Sequence, residues 1–108
     1  MKVIGKIGNI ELSYQREKVG QDGKTYYSEK YTIFVESGDD NIMVDGGFVD
    51  AINPGDGLEA LHKRGVVVGA VCEATIRFGF RDYEGKRYHD IRMVGYKRLD
   101  EAQPAKEA

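Results

Sequence analysis

Residues 74–99 read Ala74-Thr75-Ile76-Arg77-Phe78-Gly79-Phe80-Arg81-Asp82-Tyr83-Glu84-Gly85-Lys86-Arg87-Tyr88-His89-Asp90-Ile91-Arg92-Met93-Val94-Gly95-Tyr96-Lys97-Arg98-Leu99. The first half alternates with a period of two. Ala74, Ile76, Phe78 and Phe80 share one face and Thr75, Arg77, Gly79 and Arg81 the other, the pattern of a strand buried on one side. Asp82-Tyr83-Glu84-Gly85 supplies a turn, with Gly85 suited to the positive-φ position of a short bulged hairpin loop. The return strand from Lys86 turns Ile91 and Met93 inward and Arg92 outward. Val94-Gly95-Tyr96 breaks the alternation and predicts a bulge or bend. Seven Lys or Arg against three Asp or Glu make the outside of this hairpin positive, and its aromatics make it a place to lay a polyanion.

Working back from this hairpin, residues 2–19 read as a long first strand. Val3, Gly5 and Ile7 hold one parity and Ile10, Leu12 and Tyr14 the other, so a bulge near Gly8-Asn9 would bring both sets inward. Asp22-Gly23 signals a tight hairpin, and a two-residue loop there places Tyr14 opposite Tyr31, Leu12 opposite Ile33, Ile10 opposite Val35 and Arg16 opposite Glu29. The other face of the second strand then displays Tyr26, Lys30, Thr32 and Phe34. Ile42-Met43-Val44 forms a short third strand, followed by a loop rich in Gly and Asp. In the segment from Gly55 to Gly65, Asp56 can cap a short helix with Glu59 three residues on, Leu58 and Leu61 face the core, and Gly65 ends the helix.

The chain has 108 residues and one cysteine, enough for a single domain with its own core and too few thiols for a disulfide framework. Cys72 shares the inward parity of the Ala74–Phe80 face and reads as a small buried hydrophobe. No apolar run approaches the ~20 residues of a membrane span, and Met1-Lys2-Val3-Ile4-Gly5-Lys6 lacks the apolar core of a signal peptide. A soluble cytoplasmic protein is expected. The net charge is −2, but residues 36–57 hold six acidic and no basic residues, whereas the first and last thirds are positive. Phosphates feel that local charge rather than the total. The acidic stretch reads as a solvated loop, or one that meets a cation or a basic partner. Residues 100–108 read as a short polar, disordered tail.

The order strand, strand, strand, short helix, strand, strand is that of the all-β, five-stranded Greek-key OB-fold barrel over residues 1–99, with its helix between strands three and four. An SH3-like barrel lacks that helix. Three segments together resemble bacterial single-stranded-DNA-binding OB-fold proteins and a related family of small uncharacterised bacterial OB-fold domains. They are Val3-Ile4-Gly5-Lys6-Ile7, Glu29-Lys30-Tyr31-Thr32-Ile33-Phe34-Val35, and Thr75-Ile76-Arg77-Phe78 with Tyr83 to Arg92. The resemblance implies sequence-independent binding of single-stranded DNA, with RNA also open, by a homo-oligomer serving DNA replication or repair. The chain has no Trp, and residues 100–108 lack an acidic, aromatic-ended tip, so partner recruitment is not carried over.

Single-strand binding needs cations along the phosphates and flat rings on which bases stack. The surface an OB-fold uses for this would offer Lys18, Lys24, Tyr26, Lys30 and Phe34 from the first hairpin and Arg77, Arg81, Tyr83, Lys86 and Arg87 from the last. Each cation taken singly reads first as an ordinary solvated surface charge, and it is their coincidence on one surface that points to phosphates; Phe34 reads equally as packed under a loop or in a subunit interface. His62 and His89 have no metal-ligand or catalytic spacing, the aspartates do not match a calcium loop, and no phosphate-cradling or nucleophile motif occurs. No enzymatic activity, no cofactor, no metal and no small-molecule substrate are therefore expected. The competing class is a protein-interaction or assembly module.

Overall fold

The computed structural model describes residues 1–100. It contains β1 (Lys2–Val19), β2 (Thr25–Ser37), β3 (Asp40–Ala51), α1 (Gly57–Lys63), β4 (Val71–Tyr83) and β5 (Lys86–Arg98). All five strands belong to one sheet in the order β1-β2-β3-β5-β4, and β4 pairs back onto β1, so the sheet closes into a ring. Four of the contacts are antiparallel ladders. The fifth, β3 to β5, is parallel and consists of the single pair Asp45–Arg92. The all-β composition, the order of elements and the helix between the third and fourth strands match the sequence reading. No helix among the described residues is long and apolar enough to cross a membrane. Residues 101–108, most of the expected tail, lie outside the described residues.

Period-two alternation builds the core. Val3 and Ile7 of β1, Tyr31, Ile33 and Val35 of β2, Val44 of β3, Leu61 of α1 and Cys72, Ala74 and Ile76 of β4 are buried together, with Ile91 and Met93 packed against them. Burial, followed by the nearby charge of Asp100, pushes the Cys72 thiol up. Beyond Ile76 the alternation loses its purpose. The β1–β4 ladder ends at Lys2–Thr75, with Met1 and Ile76 exchanging the last backbone hydrogen bonds, so among the described residues β4 beyond Ile76 has only β5 beside it. Phe78 and Phe80, expected inward, are 57 % and 60 % exposed on a two-stranded arm.

The two hairpin loops exchange the geometries expected of them. Gly20 and Lys24 close the first loop, which therefore spans Gln21-Asp22-Gly23, with Gly23 at φ +80°, the three-residue bulged form. The second has only Glu84 and Gly85 between Tyr83 and Lys86, both at positive φ, the two-residue type I′ form. The longer first loop shifts the β1–β2 register by one residue. Two bulges shift it further, between Ile7 and Asn9 as expected and between Leu12 and Tyr14. Tyr14 faces Lys30 rather than Tyr31, Leu12 faces Tyr31, Ile10 faces Ile33, and Gln15 takes the place of Arg16 opposite Glu29. The inward assignment of Tyr31, Ile33 and Val35 survives because parity within β2 does not depend on its partner. The bulge at Val94 also falls where the broken alternation placed it.

Glu29 is completely buried and organises the segment leading into the helix. Its carboxylate accepts hydrogen bonds from Gln15 Nε2 (2.7 Å), the Tyr31 hydroxyl (2.8 Å) and the Gly55 and Gly57 amides. Burial alone would push this carboxyl up. The bonds from Gly55, Gln15, Tyr31 and Gly57 outweigh it and hold the group below the usual carboxylate range. Asp56 occupies the N-cap position of α1 but makes no side-chain capping bond. A carboxylate from β2 does that work, satisfying amide donors that a helix start leaves unpaired.

Candidate nucleic-acid interface

The outer face of β1, β2 and β3 carries a ring platform that the sequence reading only half located. The bulge at Ser13, whose hydroxyl donates to the Lys30 carbonyl (2.9 Å), moves Tyr14 out of the expected core and onto this face. There its ring meets Phe48 edge-on, with centroids 5.8 Å apart and planes at 88°, a favourable aromatic geometry. Phe48 is 61 % exposed and lies on β3, where a Gly/Asp-rich loop was expected. β3 continues through that stretch because Gly47 adopts φ +87°, which a side-chain-bearing residue resists. Asp45 and Asp50 thus become strand residues. Farther along the same face, half-buried Phe34 stands opposite the exposed Met43.

Lys30 belongs to this platform but is not a free cation. Its Nζ lies 3.2 Å from Asp45 Oδ2 and 5.0 Å from the centre of the Phe48 ring. Asp45 is held in turn by the Gly47 amide, which donates to Oδ1 at 2.7 Å.

The β4–β5 arm carries a second set of positive charges. Arg77 stands opposite Arg92, Arg81 opposite Tyr88 and Tyr83 opposite Lys86. Two of the arm's cations are matched internally. Arg87 pairs with Asp82 at 2.9 Å and covers the Phe80 ring at 4.4 Å, and Arg92 pairs with Asp90 at 3.2 Å. Arg81 lies 6.0 Å from the Tyr88 ring. Among the described residues, Arg77, Arg81 and Lys86 form no ion pair.

Platform and arm meet across a groove of about 470 Å³. Ser13, Tyr14, Lys30 and Thr32 line one side, Arg81, His89 and Asp90 the other, with Met43 and Asp45 between them in sequence. The fold therefore brings together Lys30 and Arg81 from the expected set. Arg77, Tyr83, Lys86 and Arg87 remain along the arm outside the groove. Lys18, Lys24 and Tyr26 sit on the β1–β2 hairpin, where Lys18 faces Tyr26. Tyr26 borders a separate depression of about 260 Å³ with Asp50, Ala51 and Ile52.

Sequence reasoning missed Ser13, Tyr14, Phe48, Asp90 and His89 as groove or platform residues. For Phe48 a signal existed, since Met43, Asp45 and Phe48 fall on one face once a single bulge is placed at the Gly-Gly pair. Tyr14 had none, because nothing in Leu12-Ser13-Tyr14 marks a bulge. Among the described residues, no three His, Cys, Asp or Glu gather as a metal ion would require. No family model, curated protein or solved structure matches the chain.

Proposed function

We propose that the chain is an OB-fold protein that binds single-stranded DNA, or RNA, without requiring a fixed sequence, and that it acts in the cytoplasm as a binding protein rather than a catalyst. The observation that carries this reading is the groove, lined by Tyr14 of the exposed ring platform on one side and by Arg81 of the basic arm on the other, with Phe48 against Tyr14 and the arm's remaining cations beyond it. Bases stack on such rings for about 1–3 kcal/mol each. Arg77, Arg81 and Lys86 supply positive charge not already matched by a carboxylate, which is what a phosphate chain responds to. A groove bordered by a sheet face and a projecting hairpin is also where an OB-fold takes its ligand.

The test is titration of fluorescent oligo-dT at about 50 and about 200 mM salt. Micromolar or tighter binding that weakens with salt is expected. Absence of binding at the lower salt refutes the reading. The exposed Phe78 and Phe80 favour a second one, a protein-assembly module in which this arm docks on a further copy of the chain. Sedimentation of a Phe78→Ala/Phe80→Ala variant checks it, since dissociation of an oligomer with oligo-dT affinity unchanged would favour assembly.

A further inference from the structure

The groove differs from the arm in its chemistry. Besides His89, the charged side chains that line it are two cations, Lys30 and Arg81, and two carboxylates, Asp45 and Asp90, so the acidic groups offset the attraction its two cations would have for a phosphate chain. Lys30 is already engaged by Asp45 and the Phe48 ring. The groove is rich in acceptors. Asp45 and Asp90 are acceptor-only groups, and each carboxylate has room for more hydrogen bonds than those it makes. Ser13 has committed its one proton to the Lys30 carbonyl, leaving its oxygen able only to accept.

We infer, building on the nucleic-acid reading above, that this groove is a base subsite selecting nucleobases with an exocyclic amine, with Asp90 the specificity-determining residue. The backbone then runs outside, along Arg77 and Lys86 and past Arg81 where arm and groove meet, and a base turns inward against the Tyr14 ring, which Phe48 backs edge-on. A carboxylate accepting from the cytosine N4 amine is an established complementary pair. Uracil presents a carbonyl oxygen at the same position, which would confront the carboxylate with another acceptor and leave both unpaired. Asp90 is the better placed of the two carboxylates. Asp45 binds the Gly47 amide through one oxygen and Lys30 through the other, whereas Asp90 has a single ion pair, from Arg92 to Oδ2.

The experiment compares oligo-dC with oligo-dU of equal length, at a pH where cytosine N3 is unprotonated. The two differ at the base only in the amine-for-carbonyl exchange and its accompanying N3 proton. The parent protein should prefer oligo-dC by about fivefold or more, the lower end of what one good base contact provides. Asp90→Asn should bring the ratio close to one while leaving the melting temperature and the oligo-dU affinity at or above parent values. Arg92→Ala, which frees Asp90 without removing it, should weaken both oligomers yet keep the preference. Equal binding of the two by the parent, or a preference untouched by Asp90→Asn, overturns the subsite while leaving single-strand binding standing. Failure of both oligomers to bind overturns the nucleic-acid reading itself.

Discussion

Replacing Glu29 by Ala should destabilise the fold severely. The substitution removes the acceptor for the Gly55 and Gly57 amides and for the Gln15 and Tyr31 side chains. Gln15 lies at the exposed end of the site, and the Tyr31 hydroxyl keeps the Gly55 carbonyl 3.0 Å away as an alternative acceptor. The Gly55 amide, on an exposed residue, can turn to water and the buried Gly57 amide cannot; each loses a bond to a charged acceptor worth about 1.5–3 kcal/mol. A loss of about 3–5 kcal/mol follows, a large share of the ~5–15 kcal/mol that holds a domain together. Glu29→Gln keeps one acceptor oxygen but turns an amide NH2 toward other donors, and should cost about 2 kcal/mol.

The pH dependence separates this account from mere loss of volume. The Glu29 carboxyl is held below its ordinary value of 4.5. Its stabilisation is therefore present in full above that value and is lost as pH falls through the lower folded one. Urea denaturation of parent and Glu29→Gln, followed by far-UV circular dichroism from neutral pH down to about pH 3, should show a gap that narrows with acid. A Glu29→Ala protein within about 1 kcal/mol of the parent, or a gap constant across the acid range, would refute the reasoning.

The remaining predictions concern the arm, the platform and the second loop. Arg77→Ala/Arg81→Ala/Lys86→Ala should weaken oligo-dT binding and reduce its logarithmic salt slope by about 0.7 for each phosphate no longer neutralised, with little change in melting temperature; an unchanged slope would remove the arm from the phosphate path. Phe48→Ala should cost about 1–3 kcal/mol of oligo-dT affinity through lost stacking while leaving the salt slope intact, and Phe34→Ala, whose ring is half-buried, should lose less affinity and more stability. Glu84 holds φ +50° in the β4–β5 loop, a conformation costing most residues about 1–2 kcal/mol and Asn less. Glu84→Asn should therefore raise thermal stability by about 0.5–1 kcal/mol, and a lower melting point would contradict the type I′ geometry.

Parity within a strand proved legible where pairing between strands was not. Tyr31, Ile33 and Val35 alternate whatever faces them, so their burial follows from β2 alone. Register depends on loop length, and Asp22-Gly23 serves a two-residue and a three-residue loop equally well. Choosing the shorter displaced every partner by one, and the bulge at Ser13 then carried Tyr14 to the opposite face. β3 was cut short because Gly46-Gly47 looks like punctuation when it is a bend within the strand. Glu29 was misread in a different way. A carboxylate at an inward position among Tyr31, Ile33 and Val35 asks for buried partners, but the shifted register offered Arg16, whereas two of its four actual partners are backbone amides from 26 and 28 residues farther along the chain and the others are the uncharged side chains of Gln15 and Tyr31. The cations of the arm could be read from composition, but the groove between arm and platform could not, because it exists only where two distant segments come near each other.

The ring of strands is fastened very unevenly. β1 and β2 share twelve paired positions, while β3 and β5, though neighbours, pair only at Asp45 and Arg92. A hoop with one narrow clasp springs at the clasp, so amide protons on either side of this seam should exchange with solvent sooner than those of the β1–β2 ladder. The clasp is flanked by Asp90 and Ile91 of one strand and Met43 and Val44 of the other, all of which also border the groove. Anything seated there touches both free ends of the hoop and acts as a second fastener, raising the cost of opening by an amount set by its concentration relative to its dissociation constant. Slowed exchange at this seam would thus report occupancy of the groove even for a ligand that carries no label.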